Sequence, residues 1–310
     1  MNCMTHKEKL NIKKKLSPRK KSEVLFCYLL AALPLLQFCI FYVFVNFNTI
    51  TMTFQTYVVV DGIGEWIPAG FDNYKYAFEL LLGSTFKSLW KNSVLAYVVG
   101  LLVSTPLGLL FSNYLYKKYP GTRFFKVVLY MPSIISAMTI SVFFLYIANN
   151  VIPELFGLKI GLLTNKDTKF ATALFFSIWC SFGSGVIIYV STMSSISESV
   201  VEAAQLDGAT GFKEFFYITL PLVYPTISMF ISVGITAIFT NQVNLFNFFG
   251  SDNLNKFSTI GYYLYKNIST SNFKEHSHLA TLGVIFTFIS IILVYSTKWL
   301  MKKIGPSVEE

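Results

Sequence analysis

Long uncharged, hydrophobic windows alternate along this chain with shorter polar segments. Six windows of about twenty residues contain no Asp, Glu, Lys or Arg. Twenty helical residues span about 30 Å, the hydrocarbon thickness of a bilayer, and one charge at a helix centre costs about 2.5–3.5 kcal/mol on insertion scales. The pattern therefore predicts an all-α, polytopic protein with six transmembrane helices, at approximately 24–45, 92–114, 127–149, 171–193, 222–245 and 279–297.

The composition supports a membrane protein over the alternative of a large soluble α-helical core. Hydrophobic residues make up 54% of the 310 positions and charged residues 13%, whereas a soluble globular chain has about 25% charged residues. The first window runs past twenty residues, and no small-residue cleavage pattern follows Asn46. We therefore expect a retained helix there rather than a cleaved signal peptide.

The distribution of Lys and Arg predicts the orientation in the membrane. With the N-terminus inside, the cytoplasmic pieces hold 16 basic residues and the external pieces hold nine, as the positive-inside rule requires. Both termini are then cytoplasmic. The basic run 13–21 dominates this count, and beside a transmembrane helix such a run usually binds anionic headgroups. Nucleic-acid binding is the less favoured alternative.

One cytoplasmic loop, 194–221, departs from that charge pattern because it holds four acidic residues and a single lysine. Membrane insertion alone does not select such a loop, so another constraint is expected. The segment 198–207 has good helix formers, and Gly208 follows where a left-handed residue costs nothing. We expect a short helix on the membrane face that presents small alanines and an acid to a cytoplasmic partner.

The loop resembles the EAA loop of ABC import permeases, the inner membrane components of binding-protein-dependent transport systems. The resemblance implies a type I importer fold and a coupling helix that docks on an ATPase subunit. The candidate coupling residues are Glu202, Ala203, Ala204, Asp207, Gly208 and Ala209, and the pattern continues through Phe215, Ile218, Leu220 and Pro221.

Other positions resemble the sugar-importing branch of this family, the permeases for maltose, glycerol phosphate and oligosaccharides. The resemblance covers roughly 24–303, and departures cluster in the segment after span five and at the entry to span six, which leaves the solute open. The matching positions are Phe71, Asp72, Asn73 and Tyr74, then Asn92 and Ser93, then Gly121, Phe125, Lys126, Met131 and Pro132, and finally Trp179 and Gly183.

A hydroxyl stripe in span five is the candidate substrate path. Ser228, Ser232, Thr236, Thr240 and Asn244 are four residues apart, so on one continuous helix they stay on one side. The alternative is that these side chains bond their own backbone or join helices. The tryptophan that matches Trp179 belongs to the sugar site in maltose-type permeases, while lipid contact or packing is the alternative for an aromatic side chain.

Missing motifs narrow the function further. The chain has no Gly-x-x-x-x-Gly-Lys-Ser/Thr motif for ATP phosphates, and none of the six windows holds the carboxylate typical of a secondary carrier. Cysteine and histidine spacing indicates neither a metal site nor an external disulfide, and His276 and His278 are expected to be solvated loop residues. A secondary carrier and a membrane enzyme are therefore disfavoured.

The resemblance implies a non-enzymatic permease subunit in a bacterial cytoplasmic membrane, carrying a sugar, with glycerol phosphate or another polar solute as the alternative. Its implied partners are a second homologous permease, two ATPase subunits that bind ATP and Mg²⁺, and an extracytoplasmic sugar-binding protein. We expect a basic tail at 1–23, the first transmembrane helix and an external segment at 24–85, the permease domain at 86–303 with its coupling loop at 194–221, and a short tail at 304–310.

Overall fold

The computed structural model describes residues 18–60, 63–252 and 254–306. Within these ranges it has six helical segments long and apolar enough to cross a membrane, which confirms the predicted all-α, six-span fold. Most of the basic run at 13–21 and the last four residues lie outside the described part. The six segments are Leu25–Met52, Ser84–Tyr116, Ala137–Phe156, Lys169–Ser194, Phe212–Phe249 and Glu275–Ile304.

The first span stands apart from the other helices. It consists of α1 (Pro18–Phe38), a π-helical segment (Cys39–Phe44) and α2 (Val45–Met52). Its most hydrophobic window buries none of its residues within the chain. Its last part, α2, packs on the last helix of the chain. Lipid or another membrane helix must cover this apolar surface.

A small hairpin and a helix follow span one. Strands β1 (Gln55–Val60) and β2 (Ile63–Pro68) pair antiparallel, and α3 (Asp72–Leu82) comes next. The buried Asn73 fixes the base of this hairpin, because its Nδ2 donates to the carbonyls of Thr53 at 2.8 Å and Gln55 at 2.9 Å.

Span three begins later than predicted. The basic turn leads into α5 (Thr122–Ile134), which ends where Ile135 adopts an extended backbone. A separate helical stretch then forms the candidate span through α6 (Ala137–Tyr146), a π-helical segment (Ile147–Val151) and α7 (Ile152–Phe156). The predicted window 127–149 therefore joined the end of one helix to most of the next. Pro132 contributes to the break because it removes a backbone N–H from the last turns of α5.

Spans two and four form the centre of the molecule. They are α4 (Ser84–Tyr116) and α8 (Lys169–Ser194), and α8 also packs on α5. At Gly183 an added Cβ would lie 2.2 Å from the Leu129 carbonyl oxygen, so only glycine permits this close approach. Gly185 has no such neighbour and faces a cavity instead.

The loop 194–221 and the last two spans follow α8 in the chain. They contain several short elements and one long closing helix. In chain order these are α9 (Glu198–Leu206), α10 (Phe212–Glu214), a π-helical segment (Phe215–Thr219), α11 (Leu220–Gly234), α12 (Ala237–Thr240), α13 (Leu245–Phe249), a 3₁₀ turn (Asn255–Phe257), α14 (Ile260–Thr270) and α15 (Phe273–Ile304).

The two histidines near span six are helical, so their prediction as solvated loop residues was wrong. Both lie in the first turns of α15 and are partly buried. The His278 ring is 4.2 Å from the Tyr76 ring, and the His276 ring is 5.7 Å from that of Phe273. His278 is therefore covered by aromatic packing between α3 and α15, while His276 packs on a ring of its own helix.

Candidate functional site

The helix predicted in the loop 194–221 is present as α9. It begins after Ser197, whose backbone is extended, and ends at Asp207. The Gly208 N–H donates to the Gln205 carbonyl at 3.0 Å, and the Ala209 N–H donates to the Ala204 carbonyl at 2.9 Å. This pair of bonds is a Schellman motif, in which the residue after the helix cap is left-handed.

Gly208 occupies that left-handed position, with φ at +81°. An L side chain there costs about 1–2 kcal/mol, although no atom within 4 Å would block it. The same motif brings the residue after the glycine against the start of the last helical turn, and Ala204 is buried while Ala209 is partly buried. The order of alanine, aspartate, glycine and alanine in this loop thus follows from how α9 ends.

The outer side of this segment is uncovered. Glu202, Ala203 and Asp207 are exposed, and Leu206 is 89% exposed. Phe212 and Tyr217 expose about three quarters of their surface, at 74% and 75%. A soluble surface rarely leaves so many apolar side chains together beside an acid, so the segment has the character of a docking surface.

One acid in the loop is not exposed, and the sequence analysis did not single it out. Glu214 is buried and forms an ion pair with Lys117 at the end of α4, while its other oxygen accepts from Gln205 Nε2 at 3.2 Å. The available signal was the position of Glu214 directly before Phe215, a core residue of the motif. Its partner Lys117 is 97 residues away, which no local pattern reveals.

The stripe in span five does not lie on one continuous helix. Helix α11 ends at Gly234, α12 covers only Ala237–Thr240, and Asn244 has a left-handed backbone. The expectation that all five hydroxyl and amide side chains share one helix side was therefore wrong.

The stripe is divided between two adjoining grooves along α15. Ser228 and Ser232 line a groove of about 830 Å³, and Thr236 and Thr240 line the next one, of about 600 Å³. Both grooves reach Lys298. Asn244 lines neither of them, and its Oδ1 accepts from Asn247 Nδ2 at 3.0 Å.

The hydroxyls of the stripe are not equally available. Thr236 Oγ1 donates to the Val233 carbonyl at 2.7 Å, and Thr240 Oγ1 donates to the Thr236 carbonyl at 3.2 Å. Ser232 Oγ is buried without a hydrogen-bond partner among the described residues. The two threonines thus bond their own backbone, as the structural alternative anticipated, and the serine retains an unused polar atom.

Trp179 lies in a different place from the stripe. It is 39% exposed on α8 and lines an apolar cavity of about 640 Å³ between α4, α5 and α8. Its ring meets the edge of Phe176 at 6.1 Å. The structure of this single chain does not bring Trp179 and the span-five hydroxyls together.

The sequence analysis missed a cavity between α4 and α8, which is named the polar cavity for the hydroxyl and amide side chains in its otherwise apolar lining. Its volume is about 310 Å³, and Gly100, Gly108 and Gly185 leave it open because they add no side chain to its walls. Serines at helical spacing on α8 were the available signal, but the cavity needs both helices and the start of α12 to form. Its polar lining comes from Ser104, Thr105, Ser177, Ser181, Ser184 and Asn241.

The titratable groups of the described residues offer no metal site, since no three His, Cys, Asp or Glu side chains cluster there. The cysteines at 27, 39 and 180 are free thiols. The described part thus presents an exposed helix in the loop 194–221 and cavities between the membrane helices.

Comparison with known proteins identifies the family. Residues 104–310 match the family described as the binding-protein-dependent transport system inner membrane component. The chain belongs to this family. It is therefore a multi-pass permease subunit of the cytoplasmic membrane, within a transport system that depends on a binding protein.

Similar permeases include proteins named for sugar transport. The chain is 27% identical over 267 residues to the multiple sugar-binding transport system permease protein MsmF of Streptococcus mutans, covering 83% of this chain and 86% of MsmF. It is 25% identical over 217 residues to the arabinooligosaccharides transport system permease protein AraP of Bacillus subtilis, covering 67% of this chain and 67% of AraP.

The fold recurs in a solved transporter. A bacterial ABC transporter involved in the import of the acidic polysaccharide alginate has a chain that matches with a TM-score of 0.71. The two chains are 20% identical, and the match covers 93% of this permease and 98% of that chain. At this identity the likeness concerns the fold alone.

Proposed function

We propose that this permease translocates a sugar or oligosaccharide as one subunit of an ATP-driven importer, with a second homologous permease, two ATPase subunits and an extracytoplasmic sugar-binding protein. The sugar class is supported by the names of MsmF and AraP together with the sequence resemblance of the chain to the sugar-importing branch. Glycerol phosphate or another polar solute is the alternative cargo. ATP and Mg²⁺ would bind to the ATPase subunits, and this chain would bind no cofactor.

The observation that carries the proposal is the shape of the loop at Glu202–Ala209. A helix that ends in a Schellman motif has a fixed direction, and its exposed carboxylate and apolar side chains need a partner surface. In the proposed orientation, with both termini in the cytoplasm, that partner is an ATPase subunit. Closure of the ATPases would push α9 and change the access of the membrane cavities.

The proposed substrate path combines the predicted residues with the polar cavity. Ser232, Thr236, Thr240 and Asn244 on span five and Trp179 on span four remain candidates. Because a second permease would complete the pathway, side chains on different faces of one chain can still line a shared route. The cavity around Ser181 and Asn241 adds hydroxyl and amide groups that can hydrogen-bond sugar hydroxyls.

The coupling loop is tested with Gly208→Asp and Glu202→Lys in the assembled, reconstituted transporter. The first change strains a left-handed position. The second reverses a carboxylate at a docking surface, where truncating one partner of a buried pair costs about 2–5 kcal/mol. Both should abolish uptake and remove the response of ATP hydrolysis to the loaded binding protein, while the subunit still inserts and meets its permease partner.

Gly157→Asp is the matched control. Gly157 also has a positive φ, +64°, and open surroundings, but it follows α7 and lies outside the loop. It should lose comparable backbone stability and keep uptake. Normal uptake and normal stimulation of ATP hydrolysis in both loop variants would refute the coupling role.

The substrate path is tested by Trp179→Ala and Thr236→Val, which should lower sugar uptake and leave assembly unchanged. Ser181→Ala in the polar cavity provides a comparison. If both of the first two variants transport normally and Ser181→Ala does not, the route follows the cavity between α4 and α8 instead of the stripe.

A further inference from the structure

A buried carboxylate lies where three elements of the proposed cytoplasmic face meet. The Glu214 side chain is 3% exposed. It belongs to α10, which follows the exposed part of the loop and forms the start of span five. A charge taken out of water is tolerated only when it is paired and hydrogen-bonded, so the partners of Glu214 show what holds this region together.

Its two oxygens bind groups from two different elements. Oε1 forms an ion pair with Lys117 Nζ, and Oε2 accepts from Gln205 Nε2 at 3.2 Å. Lys117 caps the end of α4, which is span two, and its side chain is 23% exposed. Gln205 belongs to α9. One carboxylate therefore links span two, the coupling helix and the start of span five.

Little else fixes α9 to the membrane helices. Of its nine residues only Ala204 is buried, and the bonds of the Schellman motif are internal to the loop. The ion pair itself is firmly placed, because the neighbouring Tyr116 and Phe215 pack in an apolar cluster with core residues of α4, α8 and α11. The network thus joins a loosely anchored helix to a closely packed core.

We propose that Glu214 is a positioning residue, which through Lys117 and Gln205 fixes the direction of α9 relative to span two. Movement of α9 on an ATPase surface is then transmitted to the membrane helices as movement of one body, rather than absorbed by rotation of the loop. This inference rests on the proposed coupling role of the loop and adds the residues that make it rigid.

The direct test is a distance measurement that needs no ligand. Spin labels are placed on Leu206 and Tyr119, both of which are exposed, in a full-length chain in lipid vesicles whose native cysteines are replaced by serine. Lys117→Glu and Glu214→Lys each set like charges against each other and should broaden the distance distribution. The double exchange, K117E with E214K, should narrow it again, because the amide of Gln205 can also accept from a lysine.

Lys118→Glu is the control for an unspecific effect of charge. Lys118 is exposed and adjacent, and it makes no ion pair within the described ranges. Its distance distribution should match that of the parent protein. Insertion level and thermal midpoint are recorded for every variant, so that misfolding is separated from loss of position.

The functional measurement uses the same variants in the assembled transporter. Each single reversal should lower uptake about tenfold or more, because it leaves a buried charge unpaired, and ATP hydrolysis should lose its stimulation by the binding protein. The double exchange should recover both. A merely structural role would lower the amount of folded protein without changing stimulation per assembled complex.

Two results would overturn the inference. One is a narrow distance distribution and normal uptake in both single reversals. The other is failure of the double exchange to restore either measurement while the protein still inserts and assembles. If Gly208→Asp also transports normally, the coupling role itself has failed, whereas an inactive Gly208→Asp beside normal Lys117 and Glu214 variants removes only the positioning role.

Discussion

The loop before span five, 194–221, and the segment after it, 246–278, differ in how much of their surface the chain itself covers. In the loop, α9 buries one side chain and leaves Leu206 89% exposed. In the later segment Leu254 is 6% exposed, Tyr262 is 1% exposed and Ile260 is fully buried. Both connect membrane helices, but only the second is packed like a core.

The hydrogen bonds of the two segments differ in the same way. Asn92 on span two donates through Nδ2 to the carbonyls of Lys256 at 2.6 Å and Ser258 at 2.9 Å, and Ser93 Oγ accepts from the Ile260 N–H at 2.9 Å. The bonds that shape α9 are mostly local. The later segment therefore completes the fold of this chain, whereas the outer side of α9 stays uncovered and is free for the proposed ATPase contact.

The difference would be explained if the loop and the later segment lay on opposite sides of the membrane. Cysteine labelling tests this most directly. A single cysteine at Ser251 should react with an impermeant maleimide added to intact cells, and one at Thr210 should not, because the positive-inside count places the loop in the cytoplasm. Both positions are exposed. The effect is all or none.

Permeabilised cells provide the control, since both cysteines should then react. The four native cysteines are replaced by serine beforehand. Reaction at Thr210 in intact cells would reverse the orientation and remove the basis for an ATPase contact.

The two segments should also differ in how much their side chains contribute to the stability of the permease. Asn92→Ala removes two donated hydrogen bonds and leaves the partly buried Ser258 carbonyl unpaired, whereas the exposed Lys256 carbonyl can bind water instead. The change should lower the free energy of unfolding by about 2 kcal/mol. Glu202→Ala changes an exposed residue and should stay within about 0.5 kcal/mol, although it should impair coupling. Thermal unfolding of the purified permease in detergent measures both.

An equal loss of stability in the two variants would mean that α9 is part of the core of this chain. An unaffected Asn92→Ala would mean that the later segment is held by its apolar side chains alone. Either result would weaken the contrast between the two connections.

The sequence was sufficient for the loop because its geometry is local. Helix formers at 198–206, a cap at Asp207 and a left-handed glycine at 208 specify a Schellman end within six residues. The resemblance to a known loop rests on the same positions. The buried position of Glu214 was not predicted, because its partner Lys117 lies at the end of another span.

Span five could not be predicted as it is because its break depends on distant residues. The Thr259 hydroxyl donates to the Asn241 carbonyl at 2.9 Å. A Cβ on Gly261 would lie 2.5 Å from the Thr240 carbonyl group, so α14 packs closely against the end of α12. An uncharged window shows only that a segment can cross a bilayer, so it does not predict a break in the helix. The polar cavity between α4 and α8 could not be predicted either, because it depends on how the two helices pack.

The structure explains why some of the positions that resemble the sugar-importing branch have polar side chains. Asn73 holds the base of the hairpin, and Asn92 with Ser93 binds the later segment. These asparagine and serine side chains therefore hold the connecting segments in place. They do not line the two grooves that contain the hydroxyl stripe.

The smallest expected effect concerns the hydroxyl of Tyr262, inside the later segment. Its single O–H is shared between two carbonyl oxygens, those of Asp252 at 2.6 Å and Gly250 at 3.0 Å. Burial, together with the nearby Asp252 carboxylate, raises the pKa of Tyr262 to about 12. Tyr262→Phe should lower the free energy of unfolding by about 1 kcal/mol at neutral pH. Tyr265→Phe, which changes an exposed side chain in the same helix, should have no measurable effect.

The pH dependence distinguishes this hydroxyl from simple packing. A phenol whose pKa is raised on folding contributes its full stability below the unfolded pKa of about 10 and loses it as the pH rises towards the folded value. The stability difference between the parent permease and Tyr262→Phe should therefore be constant below pH 10 and shrink from there towards 12, as measured by denaturant unfolding in detergent. A difference that persists unchanged at high pH would assign the effect to ring packing, and the later segment would then be held by apolar contacts to a greater degree than its hydrogen bonds indicate.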